Sequence, residues 1–153
     1  MMVNLHVSRV QIFHELPESV QEILVDLSFG NTGTMYHYAG KSCDKKPLLV
    51  WVVTESADDN LPVAWACLKK DRTRYDFHVY VADAYRGNGI ASALVKRAYS
   101  WCRRRGAVMK VTPHDSQAIG FYKKFTGRKF IYDTWYGQPL HRHLKEIARI
   151  RCD

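Results

Sequence analysis

Between a strand-patterned run and a helix-patterned run the chain reads Arg86-Gly87-Asn88-Gly89, and this junction restricts the fold more tightly than any other stretch. A strand must end there and a helix must begin, and the first backbone N–H groups of that helix have no acceptor inside it. Upstream, "YDFHVYVAD" has the β-branched and aromatic content of a strand. Downstream, Ile90, Leu94, Ala98 and Cys102 form one stripe flanked by Ala91 and Val95, while Lys96, Ser100, Arg103 and Arg104 take the opposite side. Arg103 to Arg105 fall in the last turn, where cations complement the helix dipole, and Gly106 stands as a C-terminal cap. Glycines allow positive φ and a close approach of backbone to ligand, so the loop is suited to cradle a phosphate. The alternative is a plain glycine-rich turn with water as the acceptor.

Two common phosphate loops do not match the spelling. The chain has no Gly, four residues, then Gly-Lys-Ser or Gly-Lys-Thr, which excludes a P-loop. A dinucleotide fingerprint needs a third glycine at position 92, which is Ser92, and its strand opens a parallel sheet instead of following a hairpin.

The flanking segments set the fold class. "LPESVQEILVDLSF" places Val20, Ile23, Leu24 and Leu27 on one helical face with Pro17 near the first turn. Residues 30–46 hold glycines and polar residues without period and read as a loop. "PLLVWVVTES" and "LPVAWACLKK", separated by "ADDN", read as a hairpin, and "YDFHVYVAD" adds a third strand. "AVMKVT" is a further strand, "SQAIGFYKKF" a short helix capped by Ser116, and "RKFIYDTWYG" a last strand or pair of strands. The order predicts an α/β fold with a mixed, mostly antiparallel central sheet and helices on both faces. No repeat or linker divides the 153 residues, so 1–153 reads as a single domain.

Composition narrows the partners. Lys and Arg number 23 against 15 Asp and Glu, a net charge of +8 that attracts anions. Cys43, Cys67, Cys102 and Cys152 are scattered without a metal-binding spacing; Cys67 and Cys102 fall on apolar faces and read as buried thiols, with no metal expected. No apolar run has the length of a signal peptide or a membrane span, so the expectation is a cytoplasmic protein without a membrane partner.

Val81 to Ala91 resembles the signature of the GNAT acetyltransferase superfamily, in which a strand ending in valine leads five residues on to Arg/Gln-x-x-Gly-x-Gly/Ala, here Arg86, Gly89 and Ala91. "SQAIGFYKKF" resembles that family's later helix, and the resemblance covers residues 48–133. It implies a GNAT-like sheet with a splayed parallel strand pair, and an N-acetyltransferase that moves the acetyl group of acetyl-coenzyme A to a primary amine by direct attack in a ternary complex. It further implies that the diphosphate rests on Arg86, Gly87, Asn88, Gly89, Ile90 and Ala91 through backbone N–H groups. The pantetheine arm would pair with Val79 and Val81, and Ser116 would stand at the head of the later helix beside the thioester. Tyr122 holds the family's general-acid position; on pattern alone it is a core aromatic, sharing a stripe with Ala118, Phe121 and Phe125. Glu55, Asp76 and His78 are the candidate general bases, and His78 is preferred for its natural pKa, although an isolated strand histidine is often structural.

The sequence departs from the family at Asn88, where a second basic residue is frequent, at Asp115-Ser116, where an Asn is common, and at Thr126-Gly127-Arg128-Lys129-Phe130, a stretched form of the family's Gly-Phe. A rival reading is a basic nucleic-acid-binding module built on "FYKKFTGRKFIYDTWYGQPLHRHLKE", whose aromatic and basic residues interleave. The phosphates of coenzyme A account for the same charge, which disfavours it. A homologue that holds the cofactor without catalysis is a further alternative. The acceptor is open: a protein lysine, an N-terminus or a small amine, with an acidic protein surface as a natural complement to the charge. "WYGQPLHRHLKEIARIRCD" reads as a solvated helix, a cover for the acceptor site or a dimer contact, leaving monomer and homodimer both open.

Overall fold

The computed structural model describes residues 4–28, 47–56, 61–71, 74–111, 116–123 and 131–132. Along them run β1 (Leu5–Val7), β2 (Gln11–Ile12), a 3-10 turn (Phe13–Glu15), α1 (Glu18–Ser28), β3 (Leu48–Glu55), β4 (Leu61–Asp71) and β5 (Arg74–Val81). A second 3-10 turn (Asp83–Tyr85), α2 (Ile90–Arg104), β6 (Val108–Val111), α3 (Ser116–Lys123) and β7 (Ile131–Tyr132) follow. The strands hydrogen-bond in the order β1-β3-β4-β5-β6-β7, with β2 also on β3. The residues gather into two compact units, Met1–Lys69 with His78–Ala98 and Lys70–Phe77 with Tyr99–Asp153, so the chain passes between them within β4, β5 and α2.

In the first unit β3 and β4 pair antiparallel from Leu48↔Lys69 to Glu55↔Leu61, with a register shift between Val53 and Thr54. Phe13, Leu24, Leu48, Val50, Val52, Trp65 and Cys67 form one buried cluster, with Leu16, Val20, Val25, Leu27 and Tyr80 packed against it. The alternate residues Trp51, Val53, Ala64, Ala66 and Leu68 are buried too. Both faces of the hairpin are therefore covered, which is why its sequence is a nearly continuous apolar run and not an alternating one. β1 and β2 were not legible in the sequence. Three and two residues are too short to show a period, and what fixes them is pairing with β3, Leu5↔Glu55 to Val7↔Val53 and Gln11↔Val50 to Ile12↔Leu49. Between them Ser8 N–H donates to Val52 O at 2.8 Å, and its Oγ accepts from Val52 N–H at 3.0 Å.

α1 buries Leu24 and half-buries Val20 and Leu27 as its period predicts, but Ile23 is exposed and Val25 takes its place. The two lie about 100° to either side of Leu24 on the helix, so periodicity alone does not choose between them.

In the second unit β5 and β6 run parallel, from Arg74↔Val108 to Phe77↔Val111, and β7 joins β6 in parallel at Lys110↔Ile131 and Val111↔Tyr132. Phe77, Trp101, Cys102, Met109 and Val111 are buried, and Tyr75 meets Trp101 edge-on at 5.0 Å. α2 ends as its glycine predicts: Gly106 has φ +62°, its N–H donates to Arg103 O at 3.1 Å, and Ala107 N–H donates to Cys102 O at 2.9 Å, a Schellman closure. Arg105 stacks over Trp101 at 4.0 Å. Antiparallel strands, a parallel pair and helices make the expected mixed α/β fold. The expected loop at 30–46, the "ADDN" turn, Cys43, Cys152 and the segment 134–153 lie outside the described residues. Cys67 and Cys102 are buried free thiols, as expected.

Candidate functional site

Alternation along β5 puts Asp76, His78 and Tyr80 on one face and Phe77, Val79 and Val81 on the other. β5 runs four residues beyond Phe77, the last position that pairs with β6 as described. His78, Val79 and Tyr80 are half-buried there and Val81 is buried. The strand then breaks into the 3-10 turn, which Ala82 N–H ties to Val63 O of β4 at 2.9 Å. Tyr85 N–H donates to Ala82 O at 2.9 Å and Arg86 N–H to Asp83 O at 3.3 Å.

The glycine loop grows from that turn. Gly87 has φ +84° and Gly89 φ +74°. A Cβ at either would meet nothing within 4 Å, so the sign of φ and not crowding calls for glycine. The first bond of α2 runs from Ala93 N–H to Gly89 O at 3.1 Å, which leaves the amides of Gly89, Ile90, Ala91 and Ser92 ahead of the helical ladder. Ile90 is buried and anchors the helix start, while Arg86, Gly87, Asn88 and Gly89 are exposed. An exposed, Cβ-poor bend at a helix N-terminus fits a diphosphate on both geometry and charge.

The side chains of the loop turn back on their own segment. Arg86 Nε donates to Val81 O at 3.1 Å, Nη2 lies 3.1 Å from Asp83 Oδ1, and the guanidinium stands over the Tyr80 ring at 5.9 Å. Asn88 Nδ2 donates to Tyr85 O at 3.0 Å, a cap on the turn that accounts for an amide where the family often has a cation. Tyr85 donates its hydroxyl to Glu55 Oε2.

The candidate bases thus have different surroundings. Glu55 accepts from Tyr85. Asp76 pairs with Lys110 at 3.0 Å, both side chains largely buried at 15% exposure for Lys110 and 21% for Asp76. His78 is half-buried on β5. In the second unit Tyr122 is buried in α3, with the Phe121 ring edge-on at 5.0 Å. Ser116 opens α3, and its side chain lies outside the described residues. Sequence reasoning missed the partners Tyr85 and Lys110. Lys110 stands opposite Asp76 in the parallel register, a signal available once β5 and β6 are paired. Glu55 and Tyr85 are 30 residues apart and carry no such signal.

A depression of about 410 Å³ lined by Val10, Gln11, Ile12, Glu15, Leu16 and Leu49 shares no residue with the loop. Among the described residues no three His, Cys, Asp or Glu converge as a metal site, and no helix is long and apolar enough to cross a membrane.

The profile of the Acetyltransferase (GNAT) family matches residues 15–127, well over half of the chain. The chain belongs to the GNAT acetyltransferase family. It is 36% identical over 76 residues to acetyl transferase GW6a of Oryza sativa subsp. japonica, a match covering 45% of this chain but 17% of the rice protein. The chain thus spans under a fifth of that relative's length. Its GNAT fold is similar to the ribosomal-protein-S18-alanine N-acetyltransferase from Escherichia coli, at TM-score 0.58 and 14% identity over 84% of this chain and 86% of that one. It is also similar to AAC(6')-Iy in complex with the bisubstrate analog CoA-S-monomethyl-acetylneamine, at TM-score 0.54 and 12% identity over 78% and 88%. At these identities the shared property is the fold. The family carries acetyl transfer as its general activity, which agrees with the resemblance read from Arg86, Gly89 and Ala91.

Proposed function

We propose that the chain is a single catalytic domain, an N-acetyltransferase that holds acetyl-coenzyme A on its glycine loop and transfers the acetyl group to a primary amine within a ternary complex. The observation that carries this reading is the loop itself: positive φ at Gly87 and Gly89 followed by the leading amides of α2, in a chain of the GNAT family. Bound there, acetyl-coenzyme A supplies an acetyl group activated as a thioester.

The residues divide the work. Main-chain amides of 86–91 grip the diphosphate, and a helix dipole adds positive potential at the same point. Backbone groups of Val79 and Val81 pair with the pantetheine arm, and one N–H of that edge donates to the carbonyl oxygen as charge develops on it. Ser116 stands at the thioester end. Tyr122 delivers a proton to the departing sulfur, and His78 takes the proton from the attacking amine. Of the three candidates Glu55, Asp76 and His78, His78 is preferred because an imidazole has the natural pKa for the task. The net charge of +8 makes an acidic protein surface a natural complement, and the cofactor's own phosphates account for part of the charge on which a nucleic-acid reading would rest.

The test is acetyl transfer to a cell lysate and to a panel of amines, with mass spectrometry to locate the modified groups and thiol release to count turnovers. Labelled amines that vanish with Tyr122→Phe support the assignment. Affinity for DNA or RNA that falls steeply with salt, with no thiol release, would instead favour the nucleic-acid reading.

A further inference from the structure

Glu55 is the residue whose surroundings the proposed chemistry leaves unexplained. Its backbone is fixed from both sides, because it sits opposite Leu5 of β1 and Leu61 of β4. Its carboxylate accepts the Tyr85 hydroxyl, and Tyr85 is the last residue of the 3-10 turn that feeds the glycine loop. The head of the same turn is tied to β4 by Ala82 N–H to Val63 O at 2.9 Å. Beyond the turn, Arg86 Nε holds Val81 O and Asn88 Nδ2 holds Tyr85 O. Two glycines at positive φ give the next residues no steric guidance of their own, since nothing stands within 4 Å of where a Cβ would be. The aim of the loop is therefore set at its two ends, by the buried Ile90 that opens α2 downstream and by the turn upstream.

We infer that Glu55 and Tyr85 form a tether that positions the glycine loop for its anionic ligand, and that Glu55 is a positioning residue and not the general base. This rests on the reading that the loop binds coenzyme A. A charge-assisted hydrogen bond between a strand fixed on both sides and a turn fixed at its head holds the cradle's amides in register before the ligand arrives, so the loop binds without an ordering cost.

The experiment compares wild type with Tyr85→Phe, Glu55→Ala, Glu55→Gln and the double variant Glu55→Ala/Tyr85→Phe. Coenzyme A affinity is read by calorimetry, KM and kcat by thiol release, and amide hydrogen exchange of residues 83–91 in the ligand-free protein. The tether predicts that Tyr85→Phe and Glu55→Ala each weaken coenzyme A binding by about tenfold, the size of one lost hydrogen bond to a charged group. KM for acetyl-coenzyme A rises while kcat is kept, the double variant is no weaker than either single one, and Glu55→Gln, which still accepts the hydroxyl, recovers most of the affinity. Exchange at 83–91 speeds up with Val52 and Trp65 unchanged, which separates a loosened loop from a damaged core. A loss of kcat at constant KM in Glu55→Gln, with Tyr85→Phe silent, would overturn the tether and return Glu55 to the role of base. Wild type that binds no coenzyme A would remove the cofactor assignment, and the ligand-free exchange data would still decide the tether: unchanged exchange in Tyr85→Phe overturns it, faster exchange supports it.

Discussion

At Gly87 and Gly89 the side chain that is missing would have had room, so alanine there tests backbone sign alone. Gly89→Ala forces either a left-handed alanine, at about 1–2 kcal/mol, or a changed bend. Titration with coenzyme A should show binding weakened at least about tenfold, with chemical denaturation showing a loss of the same order as the strain. Tyr122 calls for the opposite design, since its ring is buried against Phe121 and only its hydroxyl is proposed to react. Tyr122→Phe keeps the ring, so kcat should fall by about 10²-fold or more while coenzyme A affinity stays within error in calorimetry. The loop was legible at this scale because glycine spacing reports a backbone demand directly. The roles of Tyr85 and Asn88 were not, because what they do is decided by atoms that chain folding brings to them.

The β5–β6 pair carries the most exposed liability among the elements. Asp76 and Lys110 are register partners in it and largely buried, so their attraction is worth having only while both are present. Lys110→Met leaves a carboxylate without its cation and should lower stability by about 2–3 kcal/mol, seen as a melting point about 5–10 °C lower. Replacing both, Asp76→Leu with Lys110→Met, should restore most of it, a non-additivity read by a double-mutant cycle. Strong periods made α1 and α2 readable, continuous β-branched and aromatic runs did the same for the hairpin, and the glycine after α2 told where it stops. The 101st position shows the limit: Trp101 lies beside the predicted stripe and is buried all the same, under Arg105 and against Tyr75. β1 and β2 escaped for a different reason, since a strand of two or three residues borrows its shape from the neighbour it pairs with.

For the molecule as a whole, a ligand that binds only the folded state raises the unfolding temperature by mass action. Acetyl-coenzyme A at about a hundred times its dissociation constant should add about 2.7 kcal/mol, or about 5–10 °C in a thermal scan. An excess of eight positive charges should make that gain shrink as salt is added. An unmoved melting curve would count against cofactor binding by any part of the chain. The chain's three passages between units, near the end of β4 and in the middle of β5 and α2, mean that neither unit is one continuous stretch of sequence. A single genetic crossover cannot graft either half onto a foreign gene without leaving a severed strand or helix behind. The two units can therefore be exchanged intact only together, as one block.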